Sequence, residues 1–174
     1  MLDSVIVDIS SHSNWPGNVL SNFAHTPFYF CLVRCYSMEG FIQSLKWPGL
    51  GDQTTCCLLS GTEAKRKGRQ ADSLLLDARQ VLWWRGREFS VHSEEHYTLV
   101  RDALTAKFTQ NATALAALME TGNCTLTHSV PEQAGTTLPH RVFLEMLTTI
   151  RRGMFTDWSA CHLDLSHLPV GEED

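Results

Sequence analysis

The stretch SMEGFIQSLKW, Ser37 to Trp47, combines an apolar stripe and a polar row on one predicted helix. Ser37 is a good N-cap, and Pro48 and Gly49 directly after the stretch end a helix. Because the apolar residues recur at helical spacing, one face of this helix belongs in a core. The apolar residues are Met38, Phe41, Ile42 and Leu45.

The polar row consists of Glu39, Gln43 and Lys46, at positions i, i+4 and i+7, which share one face of a helix. Glu39 and Lys46 are then separated by roughly 10 Å along the helix axis. Their charged groups can lean together across Gln43 or bracket a small ring, and spacing alone favours a third reading, a solvated stripe. Gly40 indicates that another group approaches the backbone closely.

The composition is that of one soluble globular domain. The chain has 174 residues, a formal net charge of −5 and a 43% hydrophobic share, so no general basic field attracts nucleic acid. The start lacks the pattern of a signal peptide, and no apolar run is long enough to span a bilayer. The six cysteines match no zinc pattern and are interpreted as reduced thiols, which predicts a cytoplasmic protein.

We predict an α+β, predominantly helical fold with a few short strands, as one compact domain over residues 1–167 and an acidic tail over 168–174. Apolar alternation predicts strands, and caps with helical periodicity predict helices. Lys107 is expected to be exposed or in a salt bridge. The predicted strands are Ser4–Ser10, Phe28–Val33 and Gln80–Phe89, the last with a break at Gly86. One predicted helix has Asp52 as its N-cap, a short basic segment after it is closed by Gly68, and another helix begins at Ser93. A further helix ends at Gly122, and the last is closed by Arg151, Arg152 and Gly153.

Five blocks in order resemble the NADAR family, also called YbiA-like, in a branch seen in bacteria and phages. That family has Ser-Asn-Phe; Glu, Gln and Lys on one helix; Ala-Lys with Gly-Arg; Ala-Lys-Phe-x-Gln-Asn; and Thr-Gly. The corresponding blocks here are LSNF (Leu20–Phe23), SMEGFIQSLKW (Ser37–Trp47), AKRKGR (Ala64–Arg69), ALTAKFTQN (Ala103–Asn111) and TG (Thr121–Gly122).

The resemblance implies a YbiA-like domain and an N-glycosidase that needs no cofactor. Family members cleave the base–ribose bond of phosphorylated riboflavin-pathway intermediates or remove ADP-ribose from modified guanine in nucleic acid. The expected substrate is therefore a small nucleotide or ADP-ribosylated nucleic acid, with no membrane and no obligate protein partner. The alternatives are a non-catalytic module that binds ADP-ribose or NAD, and a structural or partner-binding protein.

The chemistry of such a site can be argued from its residues. Departure of a base leaves positive charge on the ribose, which a carboxylate such as Glu39 stabilises, or Glu39 orients the attacking water. Lys46 attacks the anomeric carbon if it is neutral, or binds an oxygen or phosphate if it is charged, and the nucleophile stays unassigned. The predicted catalytic residues are Glu39 and Lys46, and the predicted substrate-binding residues are Ser21, Asn22, Phe23, Gln43, Lys65, Gly68, Arg69, Trp84 and His128.

Two histidine positions bear on this prediction. His128 stands near the place where many YbiA-like members have an acidic residue, and an imidazole can donate a proton at neutral pH. His92 and His96 are separated by four residues, but Glu94 and Glu95 do not reproduce His-Glu-x-x-His. No metal site is predicted.

Overall fold

The computed structural model describes residues 5–74 and 80–162, with side chains described as far as 156. The strands are β1 (Ile6–Asp8), β2 (Phe28–Phe30), β3 (Val33–Cys35), β4 (Val81–Trp84), β5 (Arg87–Ser90) and β6 (Thr125–Thr127). The helices are α1 (Gly17–Leu20), α2 (Met38–Ser44), α3 (Leu50–Cys57), α4 (Gly61–Leu74), α5 (Glu94–Gln110), α6 (Ala112–Glu120) and α7 (His140–His162).

The strands of the described part form three two-stranded sheets. β1 pairs in parallel with β6, so the loops that follow these two strands emerge side by side. β2 pairs with β3, and β4 pairs with β5, as antiparallel hairpins. The predicted α+β, predominantly helical class is confirmed, whereas the predicted boundary at 167 and the acidic tail lie outside the described residues.

Helix α2 is the centre of the fold, and each of its residues is buried. The Ser37 hydroxyl caps it by accepting from the Gly40 N–H at 2.9 Å, as predicted. A Cβ at Gly40 would lie 2.5 Å from the carbonyl oxygen of Leu59 and 2.8 Å from that of Cys56. Gly40 therefore allows the C-terminal end of α3 to pack directly on α2.

The predicted strand Phe28–Val33 is wrong in its extent, because the chain reverses in the middle of it. Cys31 and Leu32 have φ angles of 48° and 65°, in the left-handed region. They form the turn of the β2–β3 hairpin, and the Leu32 side chain is 93% exposed. An apolar run of strand length does not reveal a turn made without glycine.

Three predicted helix boundaries are also wrong. α3 begins at Leu50 with Gly49 as its N-cap, so Asp52 lies in the first turn. α4 continues through Gly68 as far as Leu74, and α7 continues past Arg151 as far as His162. Arg151 does not end its helix, because its guanidinium is buried and donates to the Thr121 hydroxyl at 2.9 Å and to the Cys124 carbonyl at 3.1 Å.

Lys107 in α5 corrects the expectation of an exposed or ion-paired side chain. It is 0% exposed, and within the described residues its ammonium has no hydrogen-bond partner. The ammonium lies 5.2 Å from the centre of the Phe108 ring. Burial lowers the pKa of Lys107 to about 7, because a charged ammonium is poorly solvated in the core.

Candidate functional site

A cavity of about 460 Å³ opens beside the polar row of α2. One wall consists of α2, α4 and the segment after α1, and the opposite wall consists of the loops after β1 and β6 with the start of α7. The residues that line it are Ser11, His12, Ser21, Asn22, Phe23, Glu39, Ile42, Gln43, Lys46, Lys65, Arg69, Asp72, His128, Val130, Pro131, Gln133, Ala134, Gly135, Thr136, Thr137, Leu138, His140 and Phe143.

Two polar rows face each other along this wall. On α4, Lys65, Arg69 and Asp72 repeat the i, i+4, i+7 spacing of the row on α2. Lys65 is one of the cations that act on Glu39, and Asp72 binds Lys46 at the far end. The two helices therefore run in the same direction, with their charges arranged in opposite order.

Glu39 is the buried carboxylate of the cavity, and its side chain lies at the N-terminal end of α2. Glu39 is 7% exposed, and its Oε1 accepts a hydrogen bond of 2.9 Å from the Gln43 amide. Its backbone N–H donates to the carbonyl of Asn22 at 2.8 Å. Burial raises the pKa of Glu39, and the Gln43 hydrogen bond and the nearby Lys65 and Lys46 charges oppose that rise.

Lys46 is held at the other end of the row by an ion pair with α4. Its ammonium lies 2.8 Å from Asp72 Oδ2, and its side chain is 14% exposed against 56% for Asp72. The ion pair with Asp72 therefore fixes the Lys46 ammonium at the wall of the cavity.

The segment Ser21–Phe23 closes the end of the cavity near Glu39. The Ser21 hydroxyl accepts from the Phe23 N–H at 3.2 Å, and Lys65 Nζ lies 5.7 Å from the centre of the Phe23 ring. Among the described residues, the side-chain oxygen of Asn22 is buried and has no hydrogen-bond partner. A buried acceptor at a cavity wall is suited to bind a donor group of a ligand.

The opposite wall is anchored by Asp8 at the end of β1. Its carboxylate accepts from the Ser13 hydroxyl at 2.8 Å and from the backbone N–H of Ser129 at 2.7 Å. Burial acts to raise the pKa of Asp8, but these hydrogen bonds outweigh it, so the pKa is lowered. Asp8 thus ties the loop after β1 to the loop after β6.

Three histidines of this wall line the cavity, His12, His128 and His140. The rings of His128 and His140 meet edge to face, with centres 4.0 Å apart, and His128 Nδ1 contacts the carbonyl of Ile9. The backbone N–H of His140 donates to Glu132 at 2.6 Å. Burial and the adjacent His128 lower the pKa of His140, against the opposing effect of Glu132. His128 therefore lines the cavity beside His140, a histidine that was not predicted for the site.

Two predicted substrate-binding residues lie outside this cavity. Trp84 is a core residue, with its ring centre 5.1 Å from that of Phe41 and 5.9 Å from that of Phe30. Gly68 faces Gln43, since a Cβ there would lie 1.7 Å from Gln43 Oε1. Trp84 is therefore corrected to a packing role, and Gly68 to a position that allows α4 to approach α2.

The basic cluster of α4 is divided between two faces. Lys65 and Arg69 line the cavity, while Lys67 binds Asp52 at 2.8 Å and lies 4.1 Å from the centre of the Trp47 ring. Helical spacing separates these residues, although the sequence presents them as one basic run.

Several cavity residues have no distinctive sequence signal. Asp72 could have been found from the i, i+4, i+7 spacing once α4 was recognised as continuous. Ser11, His12 and the lining residues between 130 and 138 lie in loops without periodicity, whereas Ile42 lies on α2 and His140 and Phe143 lie on α7, so the fold brings these residues to one site. The residues missed are Ser11, His12, Ile42, Asp72, Val130, Pro131, Gln133, Ala134, Gly135, Thr136, Thr137, Leu138, His140 and Phe143.

Two further observations concern the residues that the structure describes. No cluster of three or more His, Cys, Asp or Glu residues in them could hold a metal ion. No helix among them is both long and apolar enough to cross a membrane.

This fold is similar to that of a solved structure, the NMR structure of the Escherichia coli protein YbiA. The TM-score is 0.61 at 19% sequence identity, and the match covers 99% of this chain and 94% of that chain. The protein thus has a YbiA-like α+β fold, with a polar cavity beside its central helix.

Sequence comparison places the chain among phage proteins. A family described as bacteriophage protein GP30.3 matches residues 14–152. The chain is also 30% identical over 148 residues to a 17.1 kDa protein in the Gp30-rIII intergenic region of Enterobacteria phage T4, covering 83% of this chain and 96% of that protein. The chain belongs to the bacteriophage protein GP30.3 family.

Proposed function

We propose that the protein is an N-glycosidase that hydrolyses the base–ribose bond of a phosphorylated or ADP-ribosylated nucleotide-like substrate. The observation that carries this proposal is the buried Glu39 carboxylate, which opens onto a cavity lined by Lys46, Lys65 and Arg69. The YbiA-like fold and the ordered blocks of sequence resemblance support it.

Glu39 supplies the group that the sugar chemistry needs. As the bond to the base breaks, positive charge develops on the ribose ring, and a carboxylate in a partly dry site stabilises it strongly. Water adds its hydroxyl to the anomeric carbon, and the remaining proton of that water ends on the departing base. Because burial raises the pKa of Glu39, this carboxylate is a stronger proton acceptor and can carry that proton from the water to the base.

The cations of the cavity suit a phosphate. Lys46 and Lys65 are placed near opposite ends of the α2 row, and Arg69 lies one turn beyond Lys65. A phosphate bound here replaces water as the partner of these charges. In this proposal Lys46, which is ion-paired with Asp72, binds the phosphate or another substrate oxygen and does not form a Schiff base.

The Ser21–Phe23 segment supplies contacts for the base. The Phe23 ring offers a stacking surface, and the unpartnered oxygen of Asn22 offers an acceptor for a ring N–H or an amino group. The Gln43 amide donates a hydrogen bond to Glu39, so the two side chains hold each other in place. In this proposal Gln43 also faces the substrate.

Mass spectrometry of reaction products tests the proposal. The protein is incubated with NAD, ADP-ribosylated guanine DNA and riboflavin-pathway intermediates, and we expect a free base and its ribosyl product from at least one of them. Absence of a new product from all three, together with measurable ligand binding, would support the alternative of a non-catalytic ADP-ribose or NAD-binding module.

A further inference from the structure

Four of the described cysteines are grouped where β3 packs on α3. Cys31 lies in the turn before β3 and is exposed, whereas Cys35, at the end of β3, is buried. Cys56 and Cys57 are the last two residues of α3, and both are buried. None of these four lines the cavity of the candidate site, so the proposed reaction leaves the group unexplained.

Cys35 and Cys57 are the two members of this group that share one part of the core. Both are 0% exposed and belong to the large apolar cluster around α2. Cys56 is also 0% exposed, but it belongs to a separate cluster with Trp47 and Ala71. Successive residues of a helix point in different directions, so of the adjacent pair only Cys57 enters the cluster that holds Cys35.

The backbone fixes the proximity of Cys35 and Cys57. The N–H of Tyr36, the residue that follows Cys35, donates to the carbonyl of Cys57 at 2.8 Å. The Cys35 thiol lies within hydrogen-bonding reach of the Cys57 sulfur. Disulfides join cysteines whose Cα atoms are roughly 4.4–6.8 Å apart, a spacing that a direct backbone hydrogen bond beside Cys35 permits.

The two sulfurs of this pair differ in acidity. The hydrogen bond from the Cys35 thiol lowers the pKa of Cys57, against the opposing effect of burial. The same hydrogen bond, together with burial, raises the pKa of Cys35. Because the thiolate is the nucleophile in thiol oxidation, Cys57 is the sulfur that attacks an oxidant and Cys35 is the sulfur that attacks the oxidised Cys57.

We propose that Cys57 and Cys35 are a site of oxidative modification, at which hydrogen peroxide converts the two thiols to a disulfide. The Cys57 thiolate attacks one peroxide oxygen, the O–O bond breaks, and the departing hydroxide takes up the proton that Cys57 had lost. The Cys35 sulfur then attacks the resulting sulfenic acid of Cys57, and the sulfenic hydroxyl leaves as water with the Cys35 proton. Two thiols and one peroxide thus give one disulfide and two water molecules.

Access of peroxide to the pair requires a local opening, since both side chains are 0% exposed. Cys57 is the last residue of the eight-residue helix α3, and the ends of such elements open at a lower free energy than the core. Hydrogen peroxide is little larger than water, so a small opening at this end of α3 admits it.

The disulfide would tie β3 to α3 beside the central helix. A Cβ at Gly40 would lie 3.1 Å from the carbonyl oxygen of Cys57, and Gly40 directly follows Glu39. The modification therefore lies one packing contact away from the carboxylate of the candidate site. It does not depend on the proposed function, because it needs no substrate in the cavity.

Peptide mapping without reduction tests the proposal on the intact, folded protein. After treatment with hydrogen peroxide and alkylation of the remaining thiols, we expect a disulfide between the tryptic peptides that contain Cys35 and Cys57, which cleavage after Lys46 separates. Dithiothreitol should restore both thiols. Cys56→Ala is the matched control, because Cys56 is equally buried and lies in the same tryptic peptide as Cys57. This variant should keep the disulfide.

Two further variants separate the roles of the sulfurs. In Cys35→Ala the sulfenic acid of Cys57 has no partner, so dimedone, which traps sulfenic acids, should label Cys57. Cys57→Ala should form no disulfide at Cys35. Four results would overturn the proposal: no disulfide in the wild type, a disulfide from Cys35 to another cysteine, loss of the disulfide in Cys56→Ala, or a disulfide that forms only in urea. The wild-type map decides the proposal even where a variant does not fold.

Discussion

Lys46, in the turn directly after α2, and Asp72 on α4 form an ion pair of 2.8 Å at the place where the cavity of the candidate site meets a second cavity. The pair joins the ends of two helices whose polar rows face the first cavity. Lys46 is thus paired with Asp72, whereas Glu39 is hydrogen-bonded to Gln43 at the other end of the row. The carboxylate and the amine of this row therefore have different partners and, in our proposal, different tasks.

Replacing Lys46 tests its task as a phosphate-binding cation. We expect Lys46→Met to weaken ribose 5-phosphate by about ten- to a hundredfold, since a charged hydrogen bond contributes about 1.5–3 kcal/mol. Lys67→Met is the matched control, because Lys67 forms an ion pair of the same length with Asp52 but does not line the cavity. Calorimetry that finds equal affinities in the two variants would contradict the assignment.

Glu39→Gln tests the need for a carboxylate while keeping an oxygen that can accept from Gln43. We expect turnover to fall by at least about a hundredfold, as when a positioned acid–base or charge-stabilising group is lost. Circular dichroism should show an unchanged fold. An unfolded variant would indicate that the polar row of α2 is structural.

The pH dependence of turnover should report the raised pKa of Glu39. If the ionised carboxylate is the active form, activity is lost as the pH falls through its pKa, which burial places above the ordinary 4.5. We therefore expect kcat/KM to fall on the acid side with a midpoint above pH 4.5. A rate that stays constant down to that pH would show that the ionisation of Glu39 does not limit the reaction.

The contact between Gly68 and Gln43 predicts a large effect from one methyl group. Gly68→Ala would place a Cβ 1.7 Å from Gln43 Oε1, so α4 and α2 must separate or Gln43 must turn away from Glu39. We expect a loss of about 1–3 kcal/mol in the free energy of unfolding, the usual cost of overpacking. Gly51→Ala in α3 is the control, since a Cβ there meets nothing within 4 Å. Similar unfolding free energies for the two variants would contradict the close approach.

Lys107→Met should stabilise the protein. With the folded-state pKa lowered to about 7, the unfolded chain binds the extra proton between that pH and the ordinary 10.5, so wild-type stability should rise with pH across this interval. We expect the variant to gain more than about 1 kcal/mol at pH 7 and much less at pH 10, where only the smaller cost of burying an unpaired neutral amine remains. Urea unfolding at pH 7 and pH 10 measures the gain in the free energy of unfolding. Equal gains at the two pH values would contradict a cost that comes from burying the charged ammonium.

Periodicity predicted the parts of the site that lie on helices. Glu39 and Gln43 share a face because helical geometry requires it, and the cap at Ser37 formed as expected. The helix ends at Ser44, before the predicted Trp47, so Lys46 reaches the row from the turn that follows. Contacts between segments that are distant in the sequence could not be predicted from the pattern of neighbouring residues. Gly68 resembled a helix terminator, and only the packed structure shows that it makes room for Gln43.

The two adjacent tryptophans show the same limit. Alternation along β4 requires Trp83 and Trp84 to point to opposite sides, but the sequence did not say which side is the core. The prediction chose Trp84 for the site, whereas Trp84 packs on Phe30 and Phe41 and Trp83 lines the second cavity. The loop residues 130–138 had no periodic pattern at all, so their place at the cavity depended on the pairing of β1 with β6.

The central claim is tested most directly by mass spectrometry of wild type, Glu39→Gln and Lys67→Met after incubation with ADP-ribosylated guanine DNA, NAD and riboflavin-pathway intermediates. We predict that wild type and Lys67→Met release a free base or an unmodified guanine from at least one substrate and that Glu39→Gln does not. Release at the wild-type rate by Glu39→Gln, or no release by wild type from any of the three, would contradict the account.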